Sequence, residues 1–283
     1  MAKLKIGDIN LFQVSKKDDN GYVLSHEEGN VMMRYYDAVE QYEVGDHIEA
    51  FLYIDHSKGL AATTKTPYID QYHADFVKVV EKKPGLGVFV DIGLKKDMLV
   101  SKDDLPHIKK QWPEIGDTLF CYLKTARKQM VARPVSRFRI LDYLKPKTVL
   151  EVGDTIKTYV FRHADEGYVL FSEEGHEIFV YYKHTRKEYR FGEAVEVTIT
   201  VVRDDKHYNG TLIGQKEDMM EDDAKRIYDY LQENRMMPLT DKSDPAEIFE
   251  LFHMSKAAFK RALGQLYKAG KIELGKDKTE IKA

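Results

Sequence analysis

Most of the chain alternates hydrophobic and polar residues with a period of two, the pattern of a half-buried β-strand. The clearest example is the run Val-Glu-Val-Thr-Ile-Thr-Val at 195–201. Glycine–acid pairs such as Gly45-Asp46 and Gly192-Glu193 precede the longest of these runs. Short strands with frequent turns predict small closed barrels, because an open sheet of this size would leave its edges uncovered.

A long internal repeat indicates a duplicated β domain. Residues 7–36 align without a gap with residues 153–182, and 13 of the 30 aligned pairs are identical. The same alignment predicts strand faces in the second copy. By strand parity, Phe179 and Tyr181 are expected to point into the barrel and Tyr182 to point outward.

The last part of the chain changes to helical periodicity. Ala224, Ile227 and Leu231 form an apolar stripe on a helix predicted over 222–234. Asp244 and Ser255 are N-cap residues for two further helices. Two short strands at 271–274 and 278–281 are expected to follow, with a glycine-containing turn between them. This order predicts an α+β winged helix.

The segment between the two copies carries a recognisable motif. Gly-Val-Phe-Val-Asp-Ile-Gly at 87–93, followed by a strand at 98–100 and by Gly116-Asp117, resembles the S1 RNA-binding domain, a barrel of the OB fold. Three such barrels followed by a winged helix resemble the conserved virulence factor B family of Gram-positive bacteria, over essentially the full chain. The resemblance implies an RNA-binding, regulatory protein.

The expected fold is therefore mainly β, with three tandem S1-type barrels and a C-terminal winged helix. The expected boundaries are a first barrel at 1–65, a second at 66–133, a helical connector at 134–147, a third barrel at 148–215 and a winged helix at 218–283.

The binding face departs from the S1 pattern of two aromatic residues and a histidine. In the middle barrel these positions hold Leu86, Phe89 and Val100. In the outer barrels the expected equivalents are Val23 and Val169 for the second aromatic position, and Arg34 and Val180 for the histidine. Phe89 is therefore the aromatic candidate for base stacking on this face.

Charge is strongly segregated although the whole chain carries a net charge of only -3. Residues 66–147 hold 16 basic and 10 acidic residues, and residues 255–283 hold 8 and 3. A polyanion would meet these two basic regions first. The single cysteine, Cys121, and the lack of an apolar leader or membrane-length run predict a cytoplasmic protein without a membrane partner.

Three regions combine basic and aromatic residues as single-stranded nucleic acid binding requires. In the first two barrels the candidate RNA contacts are Arg34, Tyr36, Lys78, Phe89, Lys95, Lys96 and Lys102. In the third barrel they are Tyr182, Lys183, His184, Arg186, Lys187, Tyr189 and Arg190. In the winged helix they are Lys256, Lys260, Arg261, Lys268 and Lys271.

No motif in the sequence indicates catalysis, a cofactor or a metal. Gly85-x-Gly87 lies between two predicted strands and does not open a helix, so it is not a dinucleotide-binding loop. The favoured interpretation is a non-catalytic regulator that binds single-stranded RNA and affects gene expression after transcription, with duplex contact possible through the winged helix. Two alternatives stay open: a winged-helix DNA-binding transcriptional regulator, and a protein-interaction scaffold.

Overall fold

The computed structural model describes residues 3–126, 129–203, 207–213 and 216–282, without the side chains of residues 126 and 216–222. Three five-stranded β units follow one another in this part of the chain, and a winged helix follows them. The predicted fold class is confirmed. The predicted end of the third barrel at 215 lies outside the described residues. No described helix combines the length and hydrophobicity needed to cross a bilayer.

Five strands close the first barrel, in the order β1-β2-β3-β5-β4. They are β1 Ile9–Asp18, β2 Gly21–His26, β3 Gly29–Arg34, β4 His47–Ile54 and β5 Leu60–Thr63. Strands β3 and β5 run parallel, and the other neighbours are antiparallel. Alternate residues such as Phe12, Val14 and Leu24 fill the interior, as the period of two requires.

The second unit repeats this strand order as a five-stranded sheet, β10-β9-β6-β7-β8. Its strands are β6 Asp75–Lys83, β7 Gly87–Val90, β8 Met98–Ser101, β9 Thr118–Ala126 and β10 Gln129–Pro134. The two outer strands, β8 and β10, lie beside each other, so the sheet curves into a barrel. A 3₁₀ turn at Arg137–Arg139 and a short helix, α1 Ile140–Tyr143, lead to the third unit.

The third barrel is closed, in the order β11-β12-β13-β15-β14. Its strands are β11 Thr155–His163, β12 Gly167–Phe171, β13 Glu177–Tyr181, β14 Ala194–Val202 and β15 Tyr208–Thr211. This order matches the first barrel strand for strand, which agrees with the duplication inferred from the repeat.

The winged helix combines three helices and a small antiparallel sheet. Its elements are α2 Lys216–Asn234, β16 Met236–Met237, α3 Pro245–Phe252, α4 Lys256–Lys268, β17 Ile272–Leu274 and β18 Thr279–Ile281. Asp244 and Ser255 cap α3 and α4, since their side chains accept hydrogen bonds from the amides of Ala246 and Ala258. The core contains the predicted stripe of α2, including Ile227 and Leu231, packed against α4.

The predicted strand faces of the third barrel are wrong. Ile178 and Val180 point into the barrel, whereas Phe179 and Tyr181 lie on its outer face. The cause is one additional residue in the turn between β12 and β13. Tyr22 pairs with Met33 in the first barrel, but the equivalent Tyr168 pairs with Val180, which is 147 positions after Met33 rather than 146. A shift of one residue moves every later side chain to the opposite face.

The strand pairings also correct two predicted equivalences. The outward position of Arg34 corresponds to Ser101 and Tyr181, because each pairs with the first glycine of the preceding strand. Val100 and Val180 correspond instead to Met33, and all three are fully buried inside their barrels. The three positions predicted as equivalents of the S1 histidine, Arg34, Val100 and Val180, are therefore not equivalent to one another.

Gly87 allows β7 and β8 to approach each other closely. Its φ is +143°, and a Cβ atom built on it would lie 2.0 Å from the carbonyl oxygen of Val100. Only glycine fits at this point, because both the backbone conformation and the available space exclude a side chain. Gly21 occupies the equivalent place in the first barrel, where a Cβ would lie 2.2 Å from the carbonyl oxygen of Met33.

The first and second barrels share an apolar interface. Strand β4 is buried on both faces: Leu52 belongs to the interior of the first barrel, whereas Phe51 and Tyr53 pack into the core of the second. The Lys96 ammonium donates hydrogen bonds to the carbonyl oxygens of Ile54 and Asp55, at 2.7 and 3.0 Å. Burial at this contact lowers the pKa of Lys96.

The second and third barrels are joined by a cluster of mainly aromatic side chains and by an ion pair. Phe120 and Phe76 pack with Val169 and Phe171 in one cluster that also includes Ile140 of the connector. The Arg190 guanidinium donates to both carboxylate oxygens of the buried Asp117, at 3.0 and 3.2 Å. These hydrogen bonds raise the pKa of Arg190.

Replacing Gly87 by alanine is expected to lower the free energy of unfolding by about 1–3 kcal/mol or more, because β8 must move away from the new methyl group. Gly264 is the control, since its position in α4 is open and a Cβ there meets nothing within 4 Å. Gly264→Ala should stabilise by about 0.5–1 kcal/mol. Thermal and urea unfolding of both variants would measure the difference, and equal stabilities would contradict this account of Gly87.

Arg190→Ala is expected to destabilise the protein by about 2 kcal/mol, because it leaves the buried Asp117 carboxylate without its charged donor. Arg34→Ala is the matched control: Arg34 is exposed, and its loss should change stability by no more than about 0.5 kcal/mol. Urea unfolding at neutral pH would compare the two. If Arg190→Ala leaves the free energy of unfolding unchanged, this ion pair does not hold the barrels together.

Candidate nucleic-acid interface

The outer face of β7 and β8 in the second barrel stays open. Val88 and Val90 are buried in the core, and Phe89 between them points outward and is half-buried. The Lys83 ammonium lies 4.9 Å from the centre of the Phe89 ring. Leu99 pairs with Phe89 on the neighbouring strand. An aromatic face beside a cation is the arrangement that stacks a base and neutralises its phosphate.

Lys83 was not among the residues predicted from sequence. The β6–β7 turn spans only residues 84–86, so Lys83 pairs with Gly87 and lies diagonal to Phe89. Diagonal neighbours across a hairpin are within reach of long side chains. The short Pro-Gly-Leu turn is the signal that could have identified this contact.

The predicted basic residues of the second barrel have separate roles. Lys78 and Lys102 are exposed, Lys78 on β6 and Lys102 in the 3₁₀ turn that follows β8. Lys95 is also exposed, and its ammonium lies 5.7 Å from the ring centre of Tyr36 on the first barrel. Lys96 is held by the first barrel, as described above. Three of the four lysines are thus accessible to a ligand.

The same outer face of the third barrel is covered. Val169, which corresponds to Phe89, is only 2% exposed. It packs with Phe171 and Phe179 against the second barrel and the connector. Any nucleic acid contact of this barrel must therefore use its other surfaces.

The first barrel presents a face of intermediate character. Val23 is partly buried and Arg34 is exposed. Tyr36 is 50% exposed next to Lys95 of the second barrel, so an aromatic ring and a cation meet at the junction of the two barrels.

Tyr182 and Tyr189, the two tyrosines predicted as RNA contacts in the loop after β13, pack against the third barrel instead. The Tyr182 hydroxyl donates to the carbonyl oxygen of Ala164 at 2.7 Å, and its ring packs edge-on against Tyr168. Tyr189 is buried in the barrel core, and burial raises its pKa to about 12. A 3₁₀ turn begins at Tyr182, so strand parity does not continue into this loop. Neither ring presents two open faces to a base.

The basic residues of this loop fall into two groups. Arg186 and Arg190 make contacts between domains. Lys183 and Lys187 are exposed, and His184 is partly exposed. The Lys187 ammonium lies 2.6 Å from Glu193 and 4.8 Å from the Tyr189 ring centre. Lys183 and Lys187 are therefore the exposed cations of this loop.

Arg186 joins the third barrel to the winged helix. Its guanidinium lies 3.7 Å from the Asp223 carboxylate and donates to the carbonyl oxygen of His253 at 3.5 Å. Arg226 donates to the carbonyl oxygen of Arg186 at 2.8 Å. A cavity of about 220 Å³ at this junction is lined by residues of both modules, including Lys187 and the partly exposed Phe249. Phe249, like Lys83, was not among the residues predicted from sequence.

The predicted basic residues of the winged helix all point outward. Lys260, Arg261 and Lys268 are exposed on α4, where Lys260 lies 3.7 Å from Asp241. Lys256 at the start of α4 donates to the carbonyl oxygen of Lys242. Lys271 precedes the wing, and its ammonium lies 4.7 Å from the Tyr228 ring centre. The amphipathic pattern predicted this surface correctly, because Phe259, Leu263 and Leu266 occupy the opposite, buried side.

Within the described ranges, no group of three or more His, Cys, Asp or Glu side chains is arranged to hold a metal ion. Cys121 is fully buried, and burial raises the pKa of its thiol far above the usual range.

Family models match three parts of the chain. A model described as CvfB-like winged helix domain matches residues 225–281, one described as CvfB first S1-like domain matches residues 74–132, and an S1 domain model matches residues 6–65. These matches cover the first two barrels and the winged helix described above.

Similar proteins match over nearly the whole length. Conserved virulence factor B of Staphylococcus aureus is 34% identical over 279 residues, 96% of this chain and 93% of that protein. The Bacillus subtilis protein YitL is 36% identical over 261 residues, 92% and 88% of the two chains. A Streptococcus pneumoniae structure of a multidomain protein with nucleic acid binding domains has 29% identity and a TM-score of 0.69, and 98% of each chain is covered. The chain therefore belongs to the conserved virulence factor B family.

Proposed function

We propose that this protein binds single-stranded RNA in the bacterial cytoplasm and acts as a non-catalytic regulator of gene expression after transcription. S1 and winged-helix modules support nucleic acid binding as its general activity. The similar Streptococcus pneumoniae protein is described as having nucleic acid binding domains, and the staphylococcal relatives are named virulence factors.

One observation carries the proposal: surfaces with both a cation and an aromatic ring stay open after the domains have packed together. The first is the Phe89 face with Lys83, Lys78 and Lys102. The second is the edge of the third barrel with the exposed Lys183 and Lys187, where Lys187 lines one cavity with Phe249 of the winged helix. Each can bind the backbone through its lysines and one base on its ring.

A single strand suits these surfaces better than a duplex. Stacking on Phe89 needs an unpaired base whose face is free, and bases of a duplex are already stacked on each other. The two surfaces are also fixed relative to each other by the packed barrels. Two modest sites on one rigid molecule raise each other's effective concentration, so their joint affinity exceeds either one alone.

Duplex binding through the winged helix is the second candidate. Lys260, Arg261 and Lys268 are exposed on α4, the helix that enters a groove in helix-turn-helix proteins. Fluorescence anisotropy with single-stranded RNA and duplex DNA of equal length separates the two functions. Preference for duplex DNA that Lys260→Ala/Arg261→Ala abolishes would favour a DNA-binding regulator.

Phe89→Ala is expected to weaken RNA binding by about 5- to 150-fold, because one stacked base contributes about 1–3 kcal/mol. Val23→Ala is the matched control, since Val23 occupies the same position of the first barrel without an aromatic ring. Anisotropy with a labelled single-stranded RNA at fixed salt measures both variants. Equal affinity of Phe89→Ala and the unmodified protein would remove the second barrel from the proposed surface.

Lys183→Ala/Lys187→Ala is expected to reduce the slope of log affinity against log salt by about 1.4, because each of the two phosphate contacts on a single strand contributes about 0.7. The loss should be similar for all RNA sequences, since phosphate contacts carry no sequence information. Lys145→Ala/Lys147→Ala, two exposed lysines of the connector, is the control. An unchanged slope in the loop variant would show that RNA does not reach the third barrel.

A further inference from the structure

A cleft lies between the second and third barrels, and it shares Gln111 and His163 with the cavity at the junction to the winged helix. It has a volume of about 440 Å³. One wall is the segment around the 3₁₀ turn Lys109–Gln111, with Pro106 and Ile108, and the other is the end of β11 with Phe161. Phe191 also lines the cleft. This volume is in the range of clefts that hold small ligands.

The walls of the cleft combine apolar and polar groups. Three chain segments border it, and a backbone hydrogen bond of 2.9 Å from Phe191 N to Gln111 O joins two of them. Its apolar groups come from both sides, and its polar groups come mainly from Gln111, His163 and the charged residues described next. A mostly apolar cleft with a few convergent polar groups is the usual form of a small-ligand site.

His163 lines the cleft and carries an unsatisfied hydrogen-bonding atom. Its Nε2 is buried and has no hydrogen-bond partner among the described residues. Burial lowers the pKa of His163, so the ring is neutral at physiological pH, with one donor and one acceptor nitrogen. A buried polar atom without a partner is unfavourable unless a ligand or water satisfies it. The Gln111 amide lies on the same cleft and offers both a donor and an acceptor.

The mouth of the cleft is positively charged. Arg162 lines it, is exposed and makes no ion pair within the ranges that the structure describes. His107 lines the opposite side, and the exposed Lys109 and Lys110 follow it. The one carboxylate of the cleft, Asp104, is already bound by Arg133 at 2.5 Å. The free charge at the mouth therefore favours an anion.

We propose that this cleft binds a nucleoside 5′-monophosphate. The base lies between Ile108 and Phe161, its edge reaches His163 and Gln111, and Arg162 binds the phosphate. The site goes beyond the RNA surfaces proposed above, because Phe89, Lys183 and Lys187 do not line it. The same chemical group occurs in a free nucleotide and at the 5′-phosphorylated end of an RNA, so the experiment has to separate these two sources.

Trp112 is a built-in reporter for the cleft. It is the single tryptophan of the chain and is 7% exposed. Its indole nitrogen donates to the carbonyl oxygen of Pro106 at 2.7 Å, and Pro106 lines the cleft. A ligand that contacts Pro106 should change the emission of Trp112.

The first experiment titrates the full-length protein with AMP, GMP, CMP and UMP and follows Trp112 emission, with isothermal titration calorimetry for stoichiometry. At least one nucleotide should bind saturably at one site per chain. Arg162→Ala should weaken this binding by about tenfold or more, because a charge-assisted hydrogen bond is lost. Lys16→Ala, the aligned basic position of the first barrel, should leave it unchanged.

His163→Phe tests the base end of the site. Phenylalanine keeps a ring of similar size but removes the acceptor nitrogen, so nucleotide binding should weaken while thermal stability is kept or raised. Inorganic phosphate alone is the probe for a simple anion site. Competition by phosphate as strong as that by the nucleotide would overturn the proposed base recognition.

The second experiment distinguishes a free nucleotide from a 5′-phosphorylated RNA end as the ligand. RNA with a 5′-monophosphate is compared with the same RNA bearing a 5′-hydroxyl, in the unmodified protein and in Arg162→Ala. A preference for the phosphorylated end that Arg162→Ala removes identifies an RNA end as the ligand; binding of mononucleotides without such a preference identifies a free nucleotide.

The proposal is wrong if none of the four nucleotides binds saturably up to millimolar concentration and the RNA end makes no difference. Such a result leaves the RNA surfaces unaffected, since those are tested by Phe89→Ala with internal RNA sequence. Conversely, if Phe89→Ala does not weaken RNA binding but the nucleotides still bind, only the proposed RNA surface of the second barrel is rejected.

Discussion

The outer faces of several barrel strands are too apolar to meet water, and covering them requires the barrels to pack on one another. Strand β4 shows this most directly, because Leu52 fills its own barrel while Phe51 and Tyr53 fill the neighbouring one. Val169 and Phe171 of the third barrel are covered by the second barrel and the connector in the same way. Burial of apolar area is the main favourable contribution to folding, so these contacts determine which faces remain open.

The basic residues serve two purposes that sequence alone does not separate. Arg190 forms a forked contact with Asp117, for which a guanidinium is well suited. Arg186 contacts the winged helix, and Lys96 binds carbonyl oxygens of the first barrel. Lys183 and Lys187, from the same segment as the two arginines, stay exposed. A basic run that follows a strand end can therefore stabilise the domain arrangement and also offer charge to a ligand.

Much of the architecture could be predicted from the sequence because the signals are periodic and local. The repeat, the Gly-x-Phe-Val-Asp-Ile-Gly motif and the N-caps Asp244 and Ser255 gave the three barrels and the winged helix. The faces of β13 were predicted wrongly because one extra turn residue separates two strands that otherwise align without a gap. The covered face of the third barrel, the contacts of Arg186 and the cleft beside His163 all depend on contacts between distant segments. No local pattern reports such contacts.

Val23 and Val169 are identical residues at equivalent positions of a duplicated domain, yet their surroundings differ. Val23 is partly exposed on the first barrel, whereas Val169 is almost completely enclosed between two barrels. Mutational drift should therefore act on them unequally: many residue types can replace Val23, but at Val169 a larger or polar side chain would force the neighbouring barrel away. This face of the duplicated domain should therefore evolve at different rates in the two copies, and more slowly in the third barrel, where it has become an internal joint.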